Sequence, residues 1–188
     1  MEPNEFAKWI EKITQYQDSQ DLIDAKAEYE KLTGQIFQDD NSYESRMGFF
    51  LEWYTLERPM SGSGLPPIQT HLKDNESTIY QIDRKILEQL IHSHHGIFQV
   101  LKHKSDEFVV ENLLDEKEFK IQKRHSVLPF NKNDLFEARM IWIEEGYVTT
   151  ENYIYHPQET FKFIKGKAKV IRANEKEIKK QFKVLKKQ

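Results

Sequence analysis

The chain of 188 residues contains no cysteine. That absence excludes disulfides, thiolate zinc sites, iron–sulfur clusters and cysteine nucleophiles together. It suits a reducing compartment. Near the first methionine there is neither a basic stretch nor an apolar run of a secretory leader. No apolar run approaches the roughly 18 residues of a membrane span. The expectation is therefore a cytoplasmic protein. Glycine-rich phosphate loops, metal-ligand spacings and nucleophile motifs are also lacking, so no cofactor and no metal are implied.

Aromatic side chains are plentiful: twelve Phe, eight Tyr and three Trp, 12% of the chain. The mean hydropathy of −0.77 is low. Disordered chains are poor in aromatics, however, and this composition supports a folded core. At this length folding buries roughly 70% of the chain's surface without a metal or disulfide staple.

Charge is unevenly spread. The whole chain carries −3, but residues 162–188 hold eleven Lys/Arg against Glu175 and Glu177, a net +9. The remainder is therefore −12. An acidic body with a basic tail is the least ordinary feature of the sequence.

Apolar spacing divides the chain. Phe6, Trp9, Ile10 and Ile13, then Leu22, Ala25, Tyr29 and Leu32, recur at helical intervals over residues 4–33, with a polar break at 17–20. Residues 43–58 predict a helix that is apolar on nearly every side, hence central, and Pro59 ends it. Residues 68–72 fit one short helical turn, and residues 79–93 a further helix. Beyond Gly96 the period becomes alternating. Strands are expected at residues 97–101, 107–111, 118–123, 135–143 and 147–155, with a short piece at 127–128. From His156-Pro157 the helical period returns. Phe161, Ile164, Ala168, Ile171, Glu175, Ile178, Phe182 and Leu185 form a heptad-like seam.

The expected fold is α+β: a helical region at 1–95, a small antiparallel sheet or barrel of five or six strands at 96–156, and a basic amphipathic helix at 157–188, packed as one compact unit.

Several residue groups invite a functional reading. His92, His94 and His95 cluster at a helix end, where histidine also serves as a cap; His103 and His125 add no ligand-like spacing. Asp39, Asp40 and Glu44 resemble a carboxylate cluster but lack the EF-hand pattern and suit a helix entry. Glu52, Glu57 and Arg58 could serve acid–base chemistry if burial shifted them. An ion pair at the helix edge is the simpler reading, since no nucleophile or His–acid pair accompanies them. Ser61-Gly62-Ser63-Gly64 lacks the Walker lysine and a preceding strand, so it reads as a connector.

The basic helix carries the functional expectation. Phe161, Ile164, Ile171, Ile178, Phe182 and Leu185, with Lys165, Lys169, Arg172, Lys176 and Lys180, are the candidate partner-binding residues. The helix could dock on the protein's own acidic body, on a protein partner, on a second copy, on nucleic acid or on an anionic membrane surface. Only one of its eleven cations is Arg. Base readout and bidentate phosphate recognition prefer Arg, which favours a protein surface over nucleic acid. The sequence thus points to a non-enzymatic interaction or scaffold module, with nucleic-acid binding as the alternative. An enzyme would require a deep pocket with convergent carboxylates or histidines.

A resemblance accompanies these readings. Residues Tyr43-Glu44-Ser45-Arg46-Met47, Phe50-Leu51-Glu52-Trp53-Tyr54 and Glu57-Arg58-Pro59 resemble a helix found in a family of uncharacterised bacterial proteins. Ser93-His94-His95-Gly96-Ile97-Phe98-Gln99-Val100, Asn133-Asp134-Leu135-Phe136-Glu137-Ala138-Arg139 and His156-Pro157-Gln158-Glu159 are similar to its later β-rich module. The likeness covers residues 25–165. It implies a helix-then-β organisation and brings no activity.

Overall fold

Among the described residues, six helices and five strands follow one another in the order the hydrophobic periods dictate. The computed structural model describes residues 3–122, 130–144 and 146–185; the side chains of residues 3, 4, 151 and 179–185 are outside that description. The short piece expected at 127–128 and His125 also lie outside the described residues.

The helical part comprises α1 (Pro3–Gln15), α2 (Ser19–Thr33), α3 (Tyr43–Leu56), α4 (Pro67–Asp74) and α5 (Gln81–Ile91). The polar break separates α1 from α2 because Asp18 caps the second helix, accepting from the backbone N–H groups of Gln20 at 2.7 Å and Asp21 at 3.2 Å. Gly34 closes α2 at φ +90°, a backbone region that side-chain-bearing residues avoid, and its N–H donates to the Glu30 carbonyl. Helix α4 is longer than the single turn expected, since Pro67 at its first position loses no hydrogen bond there.

The strands are β1 (His94–His103), β2 (Glu107–Asn112), β3 (Glu118–Gln122), β4 (Leu135–Ile143) and β5 (Gly146–His156). They close into a barrel in the order β1-β2-β3-β5-β4. Pairing of β1 with β2 and of β2 with β3 is antiparallel. The pairing of β3 with β5, through Ile121 and Tyr147, is parallel, so the barrel is mixed rather than wholly antiparallel. A register shift between Val100 and Lys102 marks a bulge in β1. A short 3₁₀ turn at Gln158–Thr160 then leads into α6 (Phe161–Leu185).

The chain forms two compact units. The first holds Met1–His94 with Arg139–Glu144 and Val148–Ile154. Its core joins Phe6, Ile10 and Ile13 of α1 to Ile68, Leu87 and Leu90, and to Ile141, Ile143 and Val148 of the strands. A neighbouring cluster in this unit packs Ala25 and Ile36 on Phe50 and Tyr54. The second unit holds His95–Ala138, Glu145–Tyr147 and Tyr155–Gln188. Its barrel interior is aromatic: Phe98 meets Phe119 edge-on at 5.6 Å, and Phe130 stacks on Phe136 at 4.1 Å. Fully burying side chains of this size contributes about 1.5–3 kcal/mol each. Such burial pins the register of β3 on β2, which pairs without a break from Glu107–Gln122 to Glu111–Glu118.

Candidate functional site

The most concentrated buried chemistry lies in the first unit. Glu52 faces inward from α3 and is 0% exposed; Arg139 on β4 is 3% exposed. The Arg139 Nε donates to Glu52 Oε2 at 3.0 Å, and its Nη1 donates to Ser93 Oγ at 3.2 Å. Its Nη2 donates to the Glu57 carboxylate. Asn152 Nδ2 donates to Glu52 Oε1 at 2.7 Å. Both Glu52 oxygens are therefore engaged, and the arginine fork serves three acceptors. The planar guanidinium suits this arrangement, where a lysine would present only a point charge.

Gly48 lies one turn before Glu52. A Cβ there would stand 2.2 Å from Asn152 Oδ1, so only glycine lets Asn152 reach the carboxylate. Ser93 Oγ also donates to the Leu90 carbonyl. Its proton is thus committed, and the serine is not poised as a nucleophile. The cluster reads as a clamp that fixes α3 to the strand residues of its own unit. Its energetic character is asymmetric: an intact buried pair adds little net stability, while removing one partner costs several kcal/mol.

The sequence reading grouped Glu52 and Glu57 with Arg58. The structure corrects this. Arg58 instead donates to Asp21 at 3.0 and 3.2 Å and to Glu28 at 2.9 Å. Glu57 and Arg58 lie just past the end of α3, where the chain leaves the helix, and they serve different partners. Tyr54 shares the Arg58 cluster, donating to Asp21 Oδ2 at 2.8 Å. Burial and the Asp21 carboxylate hold the Tyr54 hydroxyl well above its ordinary pKa.

The other groups resolve as follows. Asp40 Oδ1 accepts from the Ser42 N–H at 2.9 Å, which holds its carboxyl below the usual range, and Ser42 precedes α3. This is a helix entry. Ser63 shares a hydrogen bond with Thr70 at 3.1 Å, and Gly64 takes φ +68°, closing the 61–64 loop on itself. His92 caps α5, while His95 Nε2 lies 2.9 Å from Glu137 Oε1. Among the described residues no group of three or more His, Asp or Glu is placed to hold a metal ion. The His156 Nε2 is buried without a hydrogen bond, and burial lowers its pKa against the opposing pull of Glu137.

In the second unit, Phe161, Ile164 and Ala168 pack on Leu113, Leu135, Ile97 and Leu114. Arg172 continues this face, donating to the Leu113 carbonyl and pairing with Glu116 at 3.1 Å. The seam expected from heptad spacing therefore drifts. A straight helix keeps about 3.6 residues per turn, so Arg172 rather than Ile171 falls fourth on the packed face. Ile171 and Ile178 are 45% and 51% exposed, and Phe163 and Val170 are 65% and 56% exposed. At about 100° per residue these four side chains share one stripe. Lys162, Lys165, Lys169 and Lys176 are exposed on another. Lys180, Phe182 and Leu185 lie on helix whose side chains are outside the described residues. No helix among the described residues is long and apolar enough to cross a membrane.

Comparison with known proteins gives no match among curated proteins or solved structures. The sequence pattern of one family, described as a family of unknown function (DUF7986), matches residues 4–187. The chain belongs to that family.

Proposed function

We propose that the protein is a cytoplasmic, non-enzymatic protein–protein interaction module whose partner docks on α6. One observation carries this reading: from Ile171 to Ile178 no described α6 side chain is buried, yet Ile171 and Ile178 present apolar surface at either end of that stretch. Exposed apolar residues on one helical stripe are the anchors of helix-in-groove recognition. The partner fitted to this surface is a protein with an apolar groove rimmed by carboxylates, since residues 162–188 carry +9. The buried Arg139 clamp supports the same reading, because its polar atoms are mutually committed rather than aimed at a ligand.

The test is affinity capture with the full chain and with the double variant Ile171→Glu, Ile178→Glu. An acidic protein retained by the first, lost by the second and released by salt supports the reading. A chain that shows only self-association by light scattering, or captures the same proteins in both forms, contradicts it.

A second reading is nucleic-acid binding, favoured by the lysine stripe at residues 162, 165, 169 and 176. Phosphate neutralisation would make its affinity fall steeply with salt. Electrophoretic shifts at two salt concentrations decide it, and no shift at low salt removes it.

A further inference from the structure

Within the first unit a cleft of about 500 Å³ opens between α1 and the segment joining α4 to α5. Its size falls in the range of ligand sites. Trp9 and Lys12 line it from one side of α1, and Tyr16 from the turn just past the helix end. His71 packs edge-on against Trp9 at 5.8 Å, and the Lys12 ammonium sits 4.1 Å from the Trp9 ring centre. Tyr16 and Tyr80 are 74% and 77% exposed, so two rings stand in solvent beside a largely buried tryptophan. Folding alone gives no reason to leave two such rings in water at one cleft.

The electrostatics narrow the ligand. Burial and the nearby Lys12 lower the His71 pKa, leaving the ring neutral at pH 7. Lys12 and Asp83 then balance each other in the lining. Residues 1–94 hold nine basic and seventeen acidic residues, a net −8. Polyanions are repelled, while a neutral or basic ligand is welcomed.

We propose that this cleft binds a short proline-rich peptide segment bearing a basic residue. The aromatic lining of Trp9, Tyr16 and Tyr80, with Asp83 in the same cleft, is the juxtaposition that carries the proposal. A polyproline II helix repeats every three residues, so two prolines of a P-x-x-P stretch face the same side, where two exposed rings can receive them. The peptide's carbonyls lack internal hydrogen bonds and accept from tyrosine hydroxyls or the Lys12 ammonium. Asp83 selects a flanking Arg or Lys. Preformed extended structure keeps the ordering cost of binding low. This site is separate from α6 and stands or falls independently of the reading above.

The test is fluorescence anisotropy with the full chain and a labelled Arg-Ala-Leu-Pro-Pro-Leu-Pro peptide. Saturable binding is expected. Tyr16→Ala and Tyr80→Ala should each weaken it about tenfold, as truncation of aromatic anchors does. Both residues are exposed, so thermal melting should not move, which separates lost binding from lost fold. Asp83→Asn should weaken this peptide about threefold or more. The same substitution should leave a version with Leu in place of Arg unchanged. Three results overturn the proposal: equal binding of an all-alanine replacement of the prolines, indifference to both tyrosine variants, or displacement of the peptide by a glucose trisaccharide, which would mark a sugar site.

Discussion

Arg139→Met is the perturbation on which the clamp can be judged. The substitution keeps an unbranched apolar stem and deletes the guanidinium. Glu52, fully buried, would then hold only the Asn152 amide, and Ser93 Oγ and Glu57 would lose their charged donor. Leaving one buried partner of an ion pair uncompensated costs about 3–5 kcal/mol. Against a typical total stability of about 5–15 kcal/mol, that is a large fraction. Arg58→Met is the internal control. Its partners Asp21 and Glu28 are 27% and 52% exposed and can turn to water when the guanidinium is removed, so the loss should be smaller, about 1–2 kcal/mol. Urea unfolding followed by circular dichroism measures both, with an unchanged slope confirming the same unfolding reaction. Adding Glu52→Gln to Arg139→Met should recover part of the loss, because the pair is coupled. Equal destabilisation by Arg139→Met and Arg58→Met would refute the clamp.

Gly48→Ala should cost about 1–3 kcal/mol, since its Cβ meets Asn152 Oδ1 at 2.2 Å and must break the Asn152 bond to Glu52; the Asn152→Ala background should abolish most of that penalty in the same urea assay. Tyr155 donates to Asp134, and burial together with that carboxylate pushes its hydroxyl up to about 12. The folded state therefore keeps a proton that the unfolded state releases, so this contribution is intact below about pH 10 and is lost as pH rises towards 12. Tyr155→Phe should flatten the alkaline fall in melting temperature, and an unchanged slope would contradict the assignment. His156 is shifted the other way, its pKa lowered by burial, so its contribution is present above about pH 6.5 and lost as pH falls through its folded value. His156→Gln should reduce the acid-side loss of stability measured by thermal melts between pH 7 and 4.

Much of the fold was legible because hydrophobic period survives in the sequence. The change near Gly96 marked the passage from helices to strands, although β1 begins at His94, where two histidines hide the start of pairing. The parallel contact of β3 with β5 was not legible, since alternation fixes which face is buried and says nothing of strand direction. Arg139 escaped the site reading for a related reason. It stands 87 residues from Glu52, and no local spacing can announce such a partner. The signal was present only as an arginine flanked by Ala138 and Met140 in a largely apolar strand, where burial without pairing is too costly to occur. On α6, heptad spacing marked an apolar face, of which Phe161, Ile164 and Ala168 pack on their own unit while Ile171 and Ile178 stay exposed; spacing alone does not say what covers a face. The proline-rich peptide cleft draws on α1, α4 and α5 together, a convergence that only folding creates.

The interaction role is tested most directly on α6. Full-length protein and the Ile171→Glu, Ile178→Glu variant would be compared by quantitative affinity capture at low and high salt. An acidic partner bound by the native chain, lost with the two substitutions and weakened by salt, with both forms melting alike, is the expected result. Identical capture by both forms would contradict it.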